Sequence, residues 1–152
     1  MEFEIFRIQD PESCAELAKI EHRCFSHPMA EEQIRSILRS GTALYYAAGD
    51  GSRILGSLWL QQVLDEGYIG NIAVLPEYRR QGIADRLLQV AEQPGLRFLT
   101  LEVRAGNLPA LALYTKHGYR QVGLRANYYS DPKEDAVLMT KWLWEEHEDT
   151  GI

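Results

Sequence analysis

An α/β fold, with a mixed β-sheet covered by helices, is predicted by three features of this sequence. Apolar runs of strand length alternate with segments of helical periodicity, Gly and Pro mark nearly every change, and the order of elements interleaves helices with strands. That order is strand, two helices, three strands, then helix, strand, helix, strand, strand.

Phe3, Ile5 and Ile8 predict the first strand, and Asp10-Pro11 supplies an N-cap and a first-turn proline for a helix. Leu17, Ile20 and Cys24 share one face of that helix, while Ile34, Ile37 and Leu38 mark a second, which Gly41 stops. Residues 42–48 and 54–63 flank the turn Gly49-Asp50-Gly51-Ser52 and predict a hairpin; residues 66–74 give a third strand. Ile83, Leu87, Leu88 and Ala91 repeat at helical spacing within residues 82–92, before Pro94-Gly95. Residues 96–103 form a nearly continuous apolar run of strand length, and residues 108–117 form a helix that Gly118 ends. Two strands close the pattern, residues 119–126 and 135–142, with a polar connection holding Asp131-Pro132.

With 152 residues, no internal repeat and no long linker, the expected organisation is one domain over residues 1–144 and a flexible acidic tail over residues 145–152. A composition of 45% hydrophobic and 25% charged residues supports a packed core. The formal net charge of −6 disfavours nucleic acid and anionic membranes as partners. No basic region followed by an apolar stretch opens the chain, and no run of 18 apolar residues occurs, so a cytoplasmic protein is expected. Cys14 and Cys24 are too few for a disulfide framework, and with His22 and His27 they match no zinc spacing; no metal is expected, and both cysteines read as buried structural residues.

Chemistry concentrates where Arg79-Arg80-Gln81-Gly82-Ile83-Ala84 turns into a helix. Backbone N–H groups without a helical partner, the helix dipole, two arginines and a glycine together suit an anion such as pyrophosphate, although an ordinary helix start with solvated arginines reads the same way. Neither the P-loop spacing nor the Gly-x-Gly-x-x-Gly fingerprint is present. Asn71-Ile72-Ala73-Val74, Pro76 and residues 79–84 instead resemble the coenzyme A signature of the GNAT acetyltransferase superfamily. Its pattern of Arg or Gln, two residues, Gly, one residue, then Gly or Ala is met by Arg79, Gly82 and Ala84. Leu101-Glu102-Val103-Arg104-Ala105, Asn107, Ala110, Ala112-Leu113-Tyr114 and Gly118-Tyr119 resemble the second half of the same family.

The resemblance implies a GNAT fold whose central sheet splays after residues 72–74. Ile72, Ala73 and Val74 would pair with the pantetheine arm of acetyl-coenzyme A, Arg79, Arg80, Gln81, Gly82, Ile83 and Ala84 would cradle its pyrophosphate, and Asn107 would lie beside it. In the RimI-type ribosomal-protein-alanine N-acetyltransferases, the subgroup this sequence most resembles, the glutamate at Glu102 accepts the amine's proton and the tyrosine at Tyr114 donates to the coenzyme A sulfur. A structural reading remains for each. Glu102 can be a salt-bridge partner, costly to bury in its apolar strand, and Tyr114 a core tyrosine. Arg125, Asn127-Tyr128-Tyr129, Glu134-Asp135-Ala136 and Met139 resemble protein N-terminal acetyltransferases, where this stretch connects the last two strands and lines the peptide side of the cleft. Tyr128 and Tyr129 are thereby substrate-binding candidates, or else a hydrophobic cover. Pro28-Met29-Ala30 departs from the subgroup's Pro-Trp-Ser.

The implied activity is acetyl transfer to a protein N-terminus, with the N-terminal alanine of a ribosomal protein as the expected partner. A lysine or small-molecule amine acetyltransferase and a non-catalytic acyl-coenzyme A sensor are the alternatives.

Overall fold

The computed structural model describes residues 2–144, and the expected tail at residues 145–152 lies outside the described residues. Seven strands follow the hydrogen-bonded order β1-β2-β3-β4-β5-β7-β6, and two compact units share the strand β4, Glu66–Val74.

One unit comprises the residues up to Val63 together with Ile69–Ala91. Strands β1 (Glu4–Ile8), β2 (Ala43–Gly49) and β3 (Ile54–Val63) pair antiparallel in that order, with Ile8 opposite Tyr45 and Tyr45 opposite Trp59. Helices α1 (Cys14–Cys24) and α2 (Glu31–Arg39) contribute Leu17, Ile20 and Ile34 to a core shared with Ile8, Cys14, Tyr45, Ala47, Ile54, Ala73 and Leu75. Leu17 and Ile34 are fully buried, each contributing roughly 2 kcal/mol of transfer free energy. Asp10 caps as expected, its side chain accepting from the Glu12 N–H, but what it caps is a short 3-10 turn, Pro11–Ser13, and α1 begins at Cys14. Helix α3 (Ile83–Ala91) buries Ile83, Leu87, Leu88 and Ala91, the residues whose spacing predicted it.

The other unit comprises Leu64–Tyr68 and the residues from Glu92 onward. Strand β5 (Phe98–Arg104) pairs in parallel with only the first residues of β4, from Glu66↔Phe98 to Tyr68↔Thr100. Gly67 allows this: a Cβ there would lie 2.7 Å from a Leu99 methyl. On its other side β5 runs antiparallel to β7 (Lys133–Trp142), which pairs with β6 (Arg120–Ser130), and α4 (Leu108–Lys116) follows the turn after β5. The last two strands are longer than their sequence suggested. Ser130 and Lys133 pair directly, so Asp131-Pro132 is the whole connection.

Candidate acetyl-transfer site

In the first unit, β4 ends in Asn71-Ile72-Ala73-Val74, with Ala73 and Val74 buried and Ile72 half-buried. Gly56 lets β3 approach this segment, since a Cβ there would stand 2.9 Å from the Ala73 carbonyl oxygen. The Val74 carbonyl is already engaged, accepting from Arg79 Nε at 3.0 Å and Cys24 Sγ at 3.4 Å. Cys24 is thus half-buried beside the signature, whereas Cys14 is fully buried.

A 3-10 turn, Pro76–Tyr78, leads into the exposed residues Arg79, Arg80 and Gln81. Arg80 and Gly82 have φ of +62° and +86°, so the backbone twice enters the left-handed region just before α3. Such alternation turns successive N–H groups toward a common concavity, and the first-turn amides of α3 have no helical acceptor. No atom lies within 4 Å of the place a Gly82 Cβ would occupy, leaving room for a ligand against the backbone.

Strand β5 carries the candidate base. Leu99, Leu101 and Val103 are buried, and the alternation puts Glu102 on the opposite face with its side chain 31% exposed. The burial cost anticipated for this carboxylate therefore does not arise. Glu102 Oε1 lies 3.7 Å from Arg125 Nη2, and the Glu102 carboxylate accepts a hydrogen bond from the Tyr128 hydroxyl, which holds the Tyr128 pKa above its ordinary value. Tyr128 and Tyr129 meet edge to face, with ring centroids 5.1 Å apart. Burial, then the Glu102 charge, raises the pKa of Tyr129. Tyr114, 7% exposed on α4, has its pKa raised by burial and then by Tyr129, so its hydroxyl stays protonated and is suited to donate. The structure thus brings Glu102, Tyr114, Tyr128 and Tyr129 into one electrostatic neighbourhood.

Tyr128 and Tyr129 lie within β6, not in a connection between strands. The register shifts between Arg125 and Tyr129, and Asn127 takes a φ of +54° there, so a bulge accommodates the extra residues while the tight turn shortens the loop. Asn107 is the N-cap of α4: its Oδ1 accepts from the Ala110 N–H at 3.2 Å.

Three features escaped the sequence reading. Glu21 is a buried carboxylate whose Oε1 accepts from the Met29 N–H at 3.1 Å, and both of its oxygens accept from Asn71 Nδ2 at 3.2 and 3.1 Å. Ala30 replaces a hydroxyl cap, and Gln33 compensates by accepting from the Ala30 N–H at 2.7 Å. Arg125 pairs with Glu102. The Glu21–Asn71 and Arg125–Glu102 links join residues that no local periodicity relates, whereas Ala30 and Gln33 stand at the local spacing of a capping box. Among the described residues, no group of three or more His, Cys, Asp or Glu side chains is placed to hold a metal ion, and no helix is long and apolar enough to cross a membrane.

Residues 11–119 match the family model described as the acetyltransferase (GNAT) family. The chain belongs to the GNAT acetyltransferase family. Its similarity extends to a ribosomal protein bS18-alanine N-acetyltransferase of Escherichia coli (strain K12), 36% identical over 126 residues, which are 79% of this chain and 84% of that protein. An N-alpha-acetyltransferase of Saccharolobus solfataricus is 40% identical over 89 residues, covering 55% of this chain and 53% of the relative. The crystal structure of the ribosomal-protein-S18-alanine N-acetyltransferase from Escherichia coli matches with a TM-score of 0.87 and 31% identity, covering 95% of this chain and 96% of that chain. Among the described residues, the mixed seven-stranded sheet with four α-helices is this GNAT fold.

Proposed function

We propose that this GNAT protein transfers the acetyl group of acetyl-coenzyme A to the α-amine of a protein N-terminus, the N-terminal alanine of a ribosomal protein in the cytoplasm being its substrate. The observation that carries this reading is that Tyr129 couples electrostatically both to a solvent-reachable carboxylate, Glu102, and to a buried tyrosine, Tyr114, kept protonated. Relatives of similar length named for alanine N-acetylation support the choice of acceptor.

Residues 79–84, with their concave backbone, hold the pyrophosphate; Ile72 and Ala73 offer backbone groups to the pantetheine arm, and Val74 contributes its N–H side, because Arg79 and Cys24 take its carbonyl. The Asn107 side-chain oxygen caps α4, leaving its amide nitrogen to donate to the cofactor. Glu102 accepts the proton of the attacking amine as the new C–N bond forms. Tyr114 gives its proton to the thiolate as the C–S bond breaks. Tyr128 and Tyr129 frame the incoming peptide.

The α-amine suits a carboxylate base. With reference pKa values near 7.8 and 10.4, roughly a tenth of α-amines but well under a thousandth of lysines are neutral at pH 7. Incubation of the protein with acetyl-coenzyme A and a panel of N-terminal peptides, read by mass spectrometry, tests the reading. Acetylation of the α-amine of alanine peptides is expected; modification confined to lysines or small amines would overturn the acceptor assignment.

A further inference from the structure

Glu134, which the mechanism above does not use, stands where three parts of the second unit meet. Its Oε2 accepts from the Gly106 N–H at 2.6 Å, in the turn immediately before Asn107 and α4. Its Oε1 accepts from Arg104 Nη1 at 3.1 Å, and the same nitrogen donates to the Pro132 carbonyl at 3.1 Å. The Arg104 guanidinium in turn lies over the Tyr129 ring, its Cζ 4.2 Å from the centroid, and Tyr129 is the cross-strand partner of Glu134 itself. A single carboxylate therefore ties the α4 turn to the hairpin tip and holds a cation against the face of a substrate tyrosine.

Two further observations show that the arrangement is built. A Cβ on Gly106 would stand 2.5 Å from Glu134 Oε2, so glycine is what lets the carboxylate reach the backbone. The neighbouring Asp135 completes the fixation, its Oδ1 accepting from the Asn127 N–H at 2.8 Å and its carbonyl from the Ala105 N–H at 3.0 Å. Asn127 is the left-handed residue of the bulge that aims Tyr128 and Tyr129. Arg104 and Glu134 are 29% and 26% exposed, so their attraction is partly shielded from solvent.

We infer that Glu134 is a positioning residue for the peptide substrate: through Arg104 it fixes the Tyr129 ring, and through Gly106 it sets the start of α4, the helix that carries Tyr114. The inference rests on the acetyl-transfer reading of the site. Glu134 acts on peptide binding first, because Arg104 stacks on the Tyr129 ring, proposed above to frame the peptide, while the proton transfers are assigned to Glu102 and Tyr114.

The test compares wild type, Glu134→Gln, Arg104→Gln and the double variant, using acetyl-coenzyme A and an N-terminal alanine peptide, with thermal unfolding of each. Glu134→Gln keeps an oxygen for the Gly106 N–H but loses the ion pair. Peptide KM is expected to rise about tenfold, with kcat and the acetyl-coenzyme A KM changed by less than about threefold. The double variant should be no worse than the more severe single, as expected of residues acting as a unit. A merely structural role would lower the melting temperature and the active fraction while leaving peptide KM alone, and that result overturns the inference. Wild type that is active with Glu134→Gln kinetically unchanged also overturns it, leaving the function standing. Wild type that acetylates no peptide overturns both.

Discussion

Arg79 Nε donates to the Val74 carbonyl at 3.0 Å, turning the chain back onto the strand it has just left. Arg79 thereby holds the strand end, and its remaining N–H groups are left for the phosphate contact proposed above; Arg80, exposed like Arg79, is in the left-handed region. Arg79→Ala is predicted to weaken acetyl-coenzyme A binding about tenfold and to cost about 1 kcal/mol of stability. Arg80→Ala should weaken binding without the stability loss. Calorimetry and chemical denaturation separate the two; equal stability of both variants would remove the structural role of Arg79.

Gly82 is predicted to matter twice. At φ +86° any side chain strains the backbone, although no neighbouring atom obstructs a Cβ. Gly82→Ala should therefore cost about 1 kcal/mol from conformation alone and still fold. The added methyl would occupy space assigned to the pyrophosphate, so acetyl-coenzyme A affinity should fall further in Gly82→Val. Unchanged affinity in a folded Gly82→Val protein would remove residues 79–84 from the cofactor site.

Much of the fold was legible because most elements carry their own signal. Leu17 with Ile20, and Leu87 with Leu88 and Ala91, show helical spacing directly and are buried as that spacing implies. The strand β6 was legible over its first part, but its extension from Asn127 to Ser130 was not, because nearly all its residues are exposed and no apolar alternation marks its extent. The site followed the same division. Glu102 and Tyr114 sit in recognisable segments, but the Glu21–Asn71 bond spans 50 positions and the Arg104–Glu134 bond 30, distances over which only the folded chain relates two residues. The exposure of Glu102 follows from strand alternation, which the apolar character of the segment obscured.

Burial, opposed by hydrogen bonds from Met29 and Asn71, holds the Glu21 pKa above the usual carboxylate range. An acid with its pKa raised on folding binds its proton more tightly in the native state. Its contribution is full below the unfolded value, about 4.3, and is lost as pH rises through the folded value. Glu21→Gln stays neutral and keeps an acceptor for the Met29 N–H. Denaturation across this range should show the wild type losing stability relative to Glu21→Gln as pH rises from acid toward neutrality; parallel curves would show that Glu21 titrates alike in both states.

Tyr114→Phe retains the ring that packs 5.8 Å from Tyr119 and removes only a hydroxyl. A loss of kcat without a matching change in acetyl-coenzyme A affinity is predicted, with stability altered by no more than about 1 kcal/mol. Because a thiol with a pKa of about 8.5 is already a fair leaving group, the loss should be smaller than that from the base. Full turnover in Tyr114→Phe would refute the proton-donor role.

Glu102→Gln tests the central claim most directly, measured as single-turnover acetylation of an N-terminal alanine peptide across pH at saturating acetyl-coenzyme A. The amide keeps the size of the carboxylate and can still accept from the Tyr128 hydroxyl, but it takes no proton from the amine. The rate is predicted to fall roughly 10²–10⁴-fold at neutral pH and to recover in part at higher pH, as more of the amine loses its proton unaided, with acetyl-coenzyme A binding intact. A Glu102→Gln protein that acetylates the peptide at the wild-type rate at pH 7 would contradict the account.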